Sequence, residues 1–186
     1  MNRFKVIDLQ LHGLKVLERK PFEDNRGFFS RLFCETELAN VGWYKPIVQI
    51  NLSSTYHKGT LRGMHYQKPP HAEIRLITSL RGESWHVAVD LRKESPTFMN
   101  WHGEILSAKN NRAFLIPEGY AHGFQTLTND VLIVYCHSKA HHPDAEAVIN
   151  ATDPRLSIPW PLEITERSIR DINQPMIDSK FKGLIF

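Results

Sequence analysis

The chain has 186 residues, of which 41% are hydrophobic and 23% charged, and it carries 23 Lys and Arg against 20 Asp and Glu. This length and composition predict one folded domain over residues 1–186 and exclude a disordered or collagen-like chain. Because the charges nearly balance and the basic residues are scattered, nucleic acid is not expected as a partner. The apolar runs are too short to cross a bilayer and no secretion signal is recognisable, so we expect neither a membrane protein nor a secreted one.

Most of the chain has the pattern of short strands separated by turns. The candidate strands are rich in Val, Ile, Phe and Thr, and Gly, Pro, Asn and Asp lie between them. They cover residues 5–9, 14–19, 27–33, 47–53, 59–67, 74–80, 83–91, 101–106, 112–116, 122–127 and 131–137. Only residues 34–40 have a helical pattern. Many short strands without long helices predict an antiparallel barrel or sandwich.

The segment after Pro143 is rich in proline, with further prolines at positions 154, 159, 161 and 175. Proline is poorly tolerated inside sheets because it lacks a backbone donor. We therefore expect this tail to wrap over the barrel without adding strands.

The cysteines and histidines give weaker signals. Cys34 and Cys136 have no metal-binding spacing, which fits buried thiols in a reducing cytoplasm. The ten histidines are an unusually high count. Four of them lie in or beside polar stretches and are expected at the surface, namely His102, His137, His141 and His142.

Residues 59–67, GTLRGMHYQ, form a predicted strand with unusual polar positions. Alternation places Gly63, His65 and Gln67 on one face. If that face is the barrel interior, its polar side chains need partners or water, which indicates a ligand cavity. If it is the exterior, the strand simply turns its polar side to solvent.

A second motif, with Pro117, Gly119 and His122, has the spacing of the second sequence motif of cupins, which often contributes a metal ligand. A cupin metal site also needs two histidines that alternate on one strand and a following carboxylate. Here His65 is followed by Tyr66 and Gln67, so that pair is absent. No metal is expected.

Five blocks in this order resemble the dTDP-4-dehydrorhamnose 3,5-epimerase family: residues 21–29, 61–67, 87–98, 116–124 and 153–161. The resemblance extends over about residues 15–175. It implies an all-β, cupin-type jelly-roll barrel with a few short helices and a C-terminal covering segment. It also implies a homodimer without metal or cofactor, in which residues 5–9 are a candidate exchange element. The implied reaction inverts carbons beside the C4 ketone of a nucleotide-linked 4-keto-6-deoxyhexose in deoxysugar biosynthesis.

The resemblance assigns catalytic roles to four residues. The C4 ketone acidifies the hydrogens on C3 and C5, so epimerisation needs a base, an acid on the other face and a stabiliser of the enolate oxygen. His65 matches the base, Asp171 the aspartate that orients it, and Tyr135 the acid. Arg75 stands where the family carries a lysine near the ketone oxygen.

Further residues match substrate contacts of the family. Arg26 and Arg62 match the arginines that hold the pyrophosphate, a role that suits the forked donors of the guanidinium group. The resemblance also implies substrate contacts for Phe22, Phe29, Arg31, Gln49, Asn51 and His122.

Four positions depart from the family pattern. Arg31 replaces a glutamate beside the thymine base, and because arginine only donates hydrogen bonds, it suits cytosine and predicts a CDP-linked sugar. His86 replaces an aspartate expected to pair with His122. The other two departures are Thr78, in place of an arginine, and Ala140-His141, in place of an aromatic pair. The proposed base and acid are kept, so we expect C3 epimerisation, while C5 epimerisation stays open.

Two other functions stay open at this point. A metal-dependent cupin enzyme would contain a stoichiometric metal that its activity requires. A non-catalytic sugar-nucleotide binding module would bind its ligand without exchanging substrate hydrogens with solvent. The choice between dTDP and CDP is also open.

Overall fold

The computed structural model describes residues 3–185, so the ends of the expected 1–186 domain lie outside the described residues. The regular structure of the described part is mostly strand. Its elements are β1 (Phe4–Asp8), β2 (Lys15–Arg19), β3 (Phe22–Asp24), β4 (Gly27–Phe29), α1 (Glu35–Ala39), β5 (Gln49–Thr55), β6 (Leu61–Gln67), β7 (Arg75–Arg81), β8 (Glu83–Asp90), β9 (Trp101–Ser107), β10 (Arg112–Ile116), β11 (Tyr120–Thr126), β12 (Val131–His137), β13 (Glu146–Val148) and α2 (Ile169–Ile172), with a 3₁₀ turn at Pro143–Ala145.

The strands form two sheets and a separate hairpin. One sheet has the order β1-β2-β10-β7-β12-β5 and the other the order β13-β6-β11-β8-β9, while β3 pairs with β4. From β5 onward the chain crosses repeatedly between the two sheets, and the named strand pairs are antiparallel. This topology confirms the expected jelly-roll barrel.

Most predicted strands correspond to observed ones, with ends displaced by one or two residues. The strand predicted at 27–33 is too long, because β4 ends at Phe29 and pairs only with β3, a strand that the sequence did not reveal. The predicted helix at 34–40 is α1. No helix among residues 3–185 is long and apolar enough to span a bilayer.

An apolar core fills part of the space between the sheets. It includes Val16, Ile77, Phe114, Phe124 and Ile133, each at most 3% exposed. These side chains occupy inward positions on strands of both sheets, as the period of two requires. Where the inward positions are polar instead, a cavity remains.

The outer face of the six-stranded sheet is covered by α1 and the loop that follows it. Leu38 and Trp43 are fully buried there against Leu17, Leu76 and Leu115. The two cysteines lie at the edge of this cluster and are free, but they are half-buried rather than buried as expected.

The tail covers the outer face of the five-stranded sheet, as expected. Leu156 and Trp160 pack there with Leu61 and Met64. The tail also contributes β13, which pairs with β6, so the expectation that it adds no strand is wrong. Residues 146–148 contain no proline, and their backbone donors are free to extend the sheet edge.

Truncating a buried side chain of the tail tests this packing. We expect Leu156→Ala to lower the free energy of unfolding by about 2 to 5 kcal/mol, because Leu156 is 3% exposed and its loss leaves a cavity. The matched control is Ile185→Ala, since Ile185 is 70% exposed and should change stability by less than about 0.5 kcal/mol. Urea titration of both variants measures the difference, and equal effects would contradict the packing role.

Candidate active site

A cavity of about 660 Å³ opens between the two sheets. Six of the predicted site residues line it, namely Asn51, Arg62, His65, Arg75, His122 and Tyr135. They come from β5, β7 and β12 on one wall and from β6 and β11 on the other. A concave site of this size with convergent polar groups is typical of small-molecule binding.

A close approach between β6 and β11 positions His65. A Cβ on Gly63 would lie 2.5 Å from the Cα of Gly123, so only glycine permits this contact. The register shifts between the facing pairs His65–His122 and Arg62–Phe124. This irregularity lets Arg62 and His65 line the same cavity, although a spacing of three residues predicts opposite faces in a regular strand.

The Asp171 carboxylate contacts the His65 imidazole and does not itself line the cavity. Asp171 lies on α2, 2% exposed, and its Oδ1 is 2.8 Å from His65 Nε2. Its Oδ2 accepts a hydrogen bond of 3.2 Å from the Gly63 backbone N–H. Burial raises the pKa of Asp171, but the hydrogen bonds from His65 and Gly63 outweigh it and lower the pKa below its ordinary value. With Nε2 engaged, Nδ1 is the imidazole nitrogen left to accept a proton.

Tyr135 faces the cavity from the opposite wall. It lies on β12, where its ring packs edge-on against His122 and stacks on His137, with centroids about 6 Å apart. Burial raises the pKa of the Tyr135 phenol above its ordinary value. The phenol therefore keeps its proton at neutral pH and is available as a donor.

Arg75 places a buried positive charge in the cavity wall. Its guanidinium donates to the backbone carbonyls of His65, at 3.2 Å, and Tyr120, at 3.0 Å, and the residue is 6% exposed. Its Nε is 3.5 Å from Glu73 Oε1. Arg75 therefore connects the two sheets and also fixes the backbone that carries His65.

The sequence reasoning missed a second histidine–carboxylate pair in this cavity. His137 Nδ1 is 2.8 Å from Glu73 Oε2, and its Nε2 is 3.4 Å from Asn51 Nδ2. The expected surface position of His137 is wrong, and His141 also lines the cavity. The alternation of side chains along a strand could have predicted this pair, because residues two apart share a face. His137 lies two residues after Tyr135, and Glu73 lies two residues before Arg75.

Gln49 lies at the rim of the cavity rather than in its lining. Its amide donates to Asn51 Oδ1 at 3.0 Å and accepts from the His141 backbone N–H at 2.9 Å. These bonds orient Asn51 toward the cavity, so Gln49 is placed to support the predicted contact of Asn51.

The structure does not bring the other four predicted substrate contacts to the cavity of the same chain. Phe22 and Phe29 lie on the β3–β4 hairpin, 54% and 71% exposed. Arg26 closes that hairpin and pairs with Asp24 at 2.6 Å. Arg31 follows it and pairs with Glu37 on α1. The observation behind the CDP hypothesis, Arg31, thus has an acidic partner outside this cavity.

His122 belongs to a buried hydrogen-bonded chain. His86 Nδ1 is 3.0 Å from His122 Nε2, and Ser84 Oγ is 2.8 Å from His86 Nε2. Desolvation lowers the pKa of His86 to about 3 and that of His122 well below its ordinary value. Among residues 3–185, no three His, Cys, Asp or Glu side chains gather in an arrangement that could hold a metal ion.

Comparison with known proteins agrees with this geometry. The model of the dTDP-4-dehydrorhamnose 3,5-epimerase family matches residues 8–179. The dTDP-4-dehydrorhamnose 3,5-epimerase of Shigella flexneri is 39% identical over 178 residues, which cover 95% of this chain and 98% of that protein.

Solved structures are similar over the same extent. The dTDP-6-deoxy-D-glucose-3,5-epimerase of Legionella pneumophila, crystallised with dTDP-4-keto-L-rhamnose, has a TM-score of 0.91 at 38% identity and covers 98% of each chain. The Bacillus anthracis dTDP-4-dehydrorhamnose 3,5-epimerase, with TDP and PPi bound, has a TM-score of 0.90 at 39% identity and covers 94% of this chain and 99% of that one. This chain therefore belongs to the dTDP-4-dehydrorhamnose 3,5-epimerase family and is a carbohydrate epimerase.

Proposed function

We propose that the protein inverts C3 of a dTDP-linked 4-keto-6-deoxyhexose in deoxysugar biosynthesis, with the chemistry performed in the cavity between the sheets. One observation carries the proposal: the His65–Asp171 pair stands on one wall and the protonated Tyr135 on the other. A base and an acid on opposite walls suit removal of a proton from one face of a sugar and its return to the other.

The first step is removal of the C3 proton by His65. The ketone at C4 acidifies this hydrogen, and His65 Nδ1 accepts the proton. The carboxylate of Asp171, 2.8 Å from Nε2, stabilises the imidazolium that forms. The negative charge that develops on the C4 oxygen is stabilised by the buried cation of Arg75.

The second step is delivery of a proton to C3 from the opposite face. In this proposal Tyr135 provides it, because its phenol stays protonated until the enolate forms. Arg62 lines the same cavity and is a fitting partner for the pyrophosphate, since guanidinium groups bind phosphate oxygens with paired donors.

The nucleotide is proposed to be dTDP rather than CDP. The relatives above carry dTDP in their names, and Arg31, on which the CDP hypothesis rests, pairs with Glu37. We expect dTDP-4-keto-6-deoxyglucose to be turned over with the higher kcat/KM when both nucleotide sugars are compared. A higher kcat/KM with the CDP-linked sugar would restore the role predicted for Arg31.

A homodimer is proposed as the working form. The β3–β4 hairpin exposes Phe22, Phe28 and Phe29, and β5 forms a sheet edge with exposed Ile50 and Leu52. Exposed apolar groups of this extent mark interaction surfaces. In such a dimer, the hairpin of one copy would lie against the cavity of the other copy. The predicted substrate contacts of Phe22, Phe29, Arg26 and Arg31 would then be made in that cavity.

Sedimentation analysis tests the dimer. We expect the wild-type chain to sediment with the mass of two chains and the double variant Phe28→Ser/Phe29→Ser to shift toward one chain, because about 70% of each ring is exposed. The control is Ile185→Ser, which removes a similarly exposed apolar side chain from the tail, outside the hairpin and β5. A monomeric wild type would reject the proposal.

The proposed location is the cytoplasm, which fits the two free cysteines.

Proton NMR in deuterium oxide tests the reaction. With dTDP-4-keto-6-deoxyglucose we expect the C3 hydrogen to exchange with solvent and the inverted product to appear. Exchange at C5 as well would extend the activity to both carbons. Binding without any exchange would favour the binding module, and loss of activity on removal of a stoichiometric metal would favour the metal-dependent cupin.

A further inference from the structure

The buried chain of Ser84, His86 and His122 has a defined direction of hydrogen bonding. Ser84 and His86 are fully buried, and His122 is 4% exposed. The Ser84 hydroxyl has no hydrogen-bond partner among residues 3–185 other than His86 Nε2, at 2.8 Å. Because a buried hydroxyl proton without an acceptor is costly, Ser84 donates to Nε2, which is therefore unprotonated.

The protonation of His86 then decides which ring donates the hydrogen bond between His86 and His122. A neutral imidazole carries one proton, so His86 carries its proton on Nδ1 and donates it to His122 Nε2, 3.0 Å away. Both rings are held neutral by burial, and the other groups that act on His122 are cationic or potentially cationic, namely Arg75, His65 and His137. With Nε2 as an acceptor, the single proton of His122 lies on Nδ1.

Nδ1 of His122 is the end of the chain that meets the cavity. It has no hydrogen-bond partner in the described part of the protein, and the atom is not fully buried, so it keeps contact with open space. The space beside His122 is the cavity it lines. A neutral N–H donor therefore points into the site at the wall that also carries His65.

We propose that Ser84 and His86 fix His122 in the tautomer with its proton on Nδ1, so that His122 gives an oxygen of the bound sugar a neutral hydrogen-bond donor. The position of the sugar rests on the function proposed above. Ser84 and His86 are positioning residues, since they act through His122. An aspartate at position 86 would accept only, and would draw the proton of a neutral His122 to Nε2.

The tautomer is measurable without substrate. We would record the imidazole nitrogen signals of ¹⁵N-histidine-labelled free protein at neutral pH, with His122→Gln to assign the His122 signals. The wild type should carry its His122 proton on Nδ1. The matched variants His86→Asn and His86→Asp have the same shape, but asparagine keeps a donor and aspartate does not.

We expect His86→Asn to keep the proton on Nδ1 and His86→Asp to move it to Nε2. A mere loss of packing would affect both variants alike. A wild-type His122 that is cationic or protonated on Nε2 would overturn the proposal, and so would a His86→Asp variant whose proton stays on Nδ1.

The donor role is tested by C3 exchange in two variants of similar side-chain shape. His122→Leu should lower kcat on the order of 10²–10³-fold, the usual loss on removing one donor to a developing oxyanion. His122→Asn keeps an N–H donor and should lose markedly less. Equal losses would contradict the donor role. Absence of C3 exchange in the wild type would reject the proposed function. The imidazole nitrogen signals would still test the tautomer of His122.

Discussion

Replacing His65 by asparagine is expected to reduce the rate of C3 hydrogen exchange on the order of 10²–10⁴-fold, the range of a general base. Asparagine keeps a polar side chain of similar reach but cannot accept a proton at neutral pH. The substrate KM should change little, because His65 acts on the reacting hydrogen while Arg62 remains available to the pyrophosphate. The measurement is proton NMR in deuterium oxide at saturating and at low substrate concentration.

Two controls make the His65 result specific. His57→Asn changes an exposed histidine outside the cavity and should leave the exchange rate unchanged. The unfolding midpoint of His65→Asn should stay near that of the wild type, because the His65 side chain is 34% exposed and the asparagine amide keeps a hydrogen-bond donor for the buried Asp171 carboxylate. Exchange at the wild-type rate in a folded His65→Asn protein would remove His65 from the mechanism.

Replacing Tyr135 by phenylalanine is expected to separate exchange from inversion. The base is intact in this variant, so C3 should still exchange its hydrogen with solvent through His65. The proton for the other face is missing, so the inverted product should form on the order of 10²–10⁴-fold more slowly. Parallel measurement of deuterium incorporation and of the C3 configuration gives both rates from one sample.

The ring contacts of Tyr135 make this a clean substitution. Phenylalanine keeps the packing against His122 and His137, which the ring alone provides. Tyr56→Phe removes a hydroxyl from a ring that is 68% exposed and should change neither rate. Equal losses of exchange and inversion in Tyr135→Phe would assign the phenol to stabilising the enolate and leave the second proton to another group.

The strand pattern was predictable because it depends on residues close together in sequence. Alternation and turn residues located most strands, and the prolines after Pro143 indicated the covering tail. Even so, β13 was missed, since three residues without a distinctive pattern become a strand only by pairing with β6.

Some residues of the candidate site were also predictable from the sequence, and others were not. His65 and Tyr135 could be proposed from the resemblance to the family, and both line the cavity. His137 could not be proposed, because its place in the site depends on a contact with Glu73, 64 positions away along the chain. Such contacts depend on the register between distant strands, and a shift of one residue would turn each side chain to the other face.

By itself, the sequence determined an all-β fold and a covering tail, because short-range periodicity and turn residues carry that information, and its resemblance to the family supplied the candidate site residues. Only the tertiary structure decided which of those residues meet. It placed Asp171 against His65 and the aromatic hairpin outside the cavity of its own chain. It also joined Ser84, His86 and His122 in one buried chain. The direction of a hydrogen bond depends on burial and on the partners available, and both exist only once the sheets have packed.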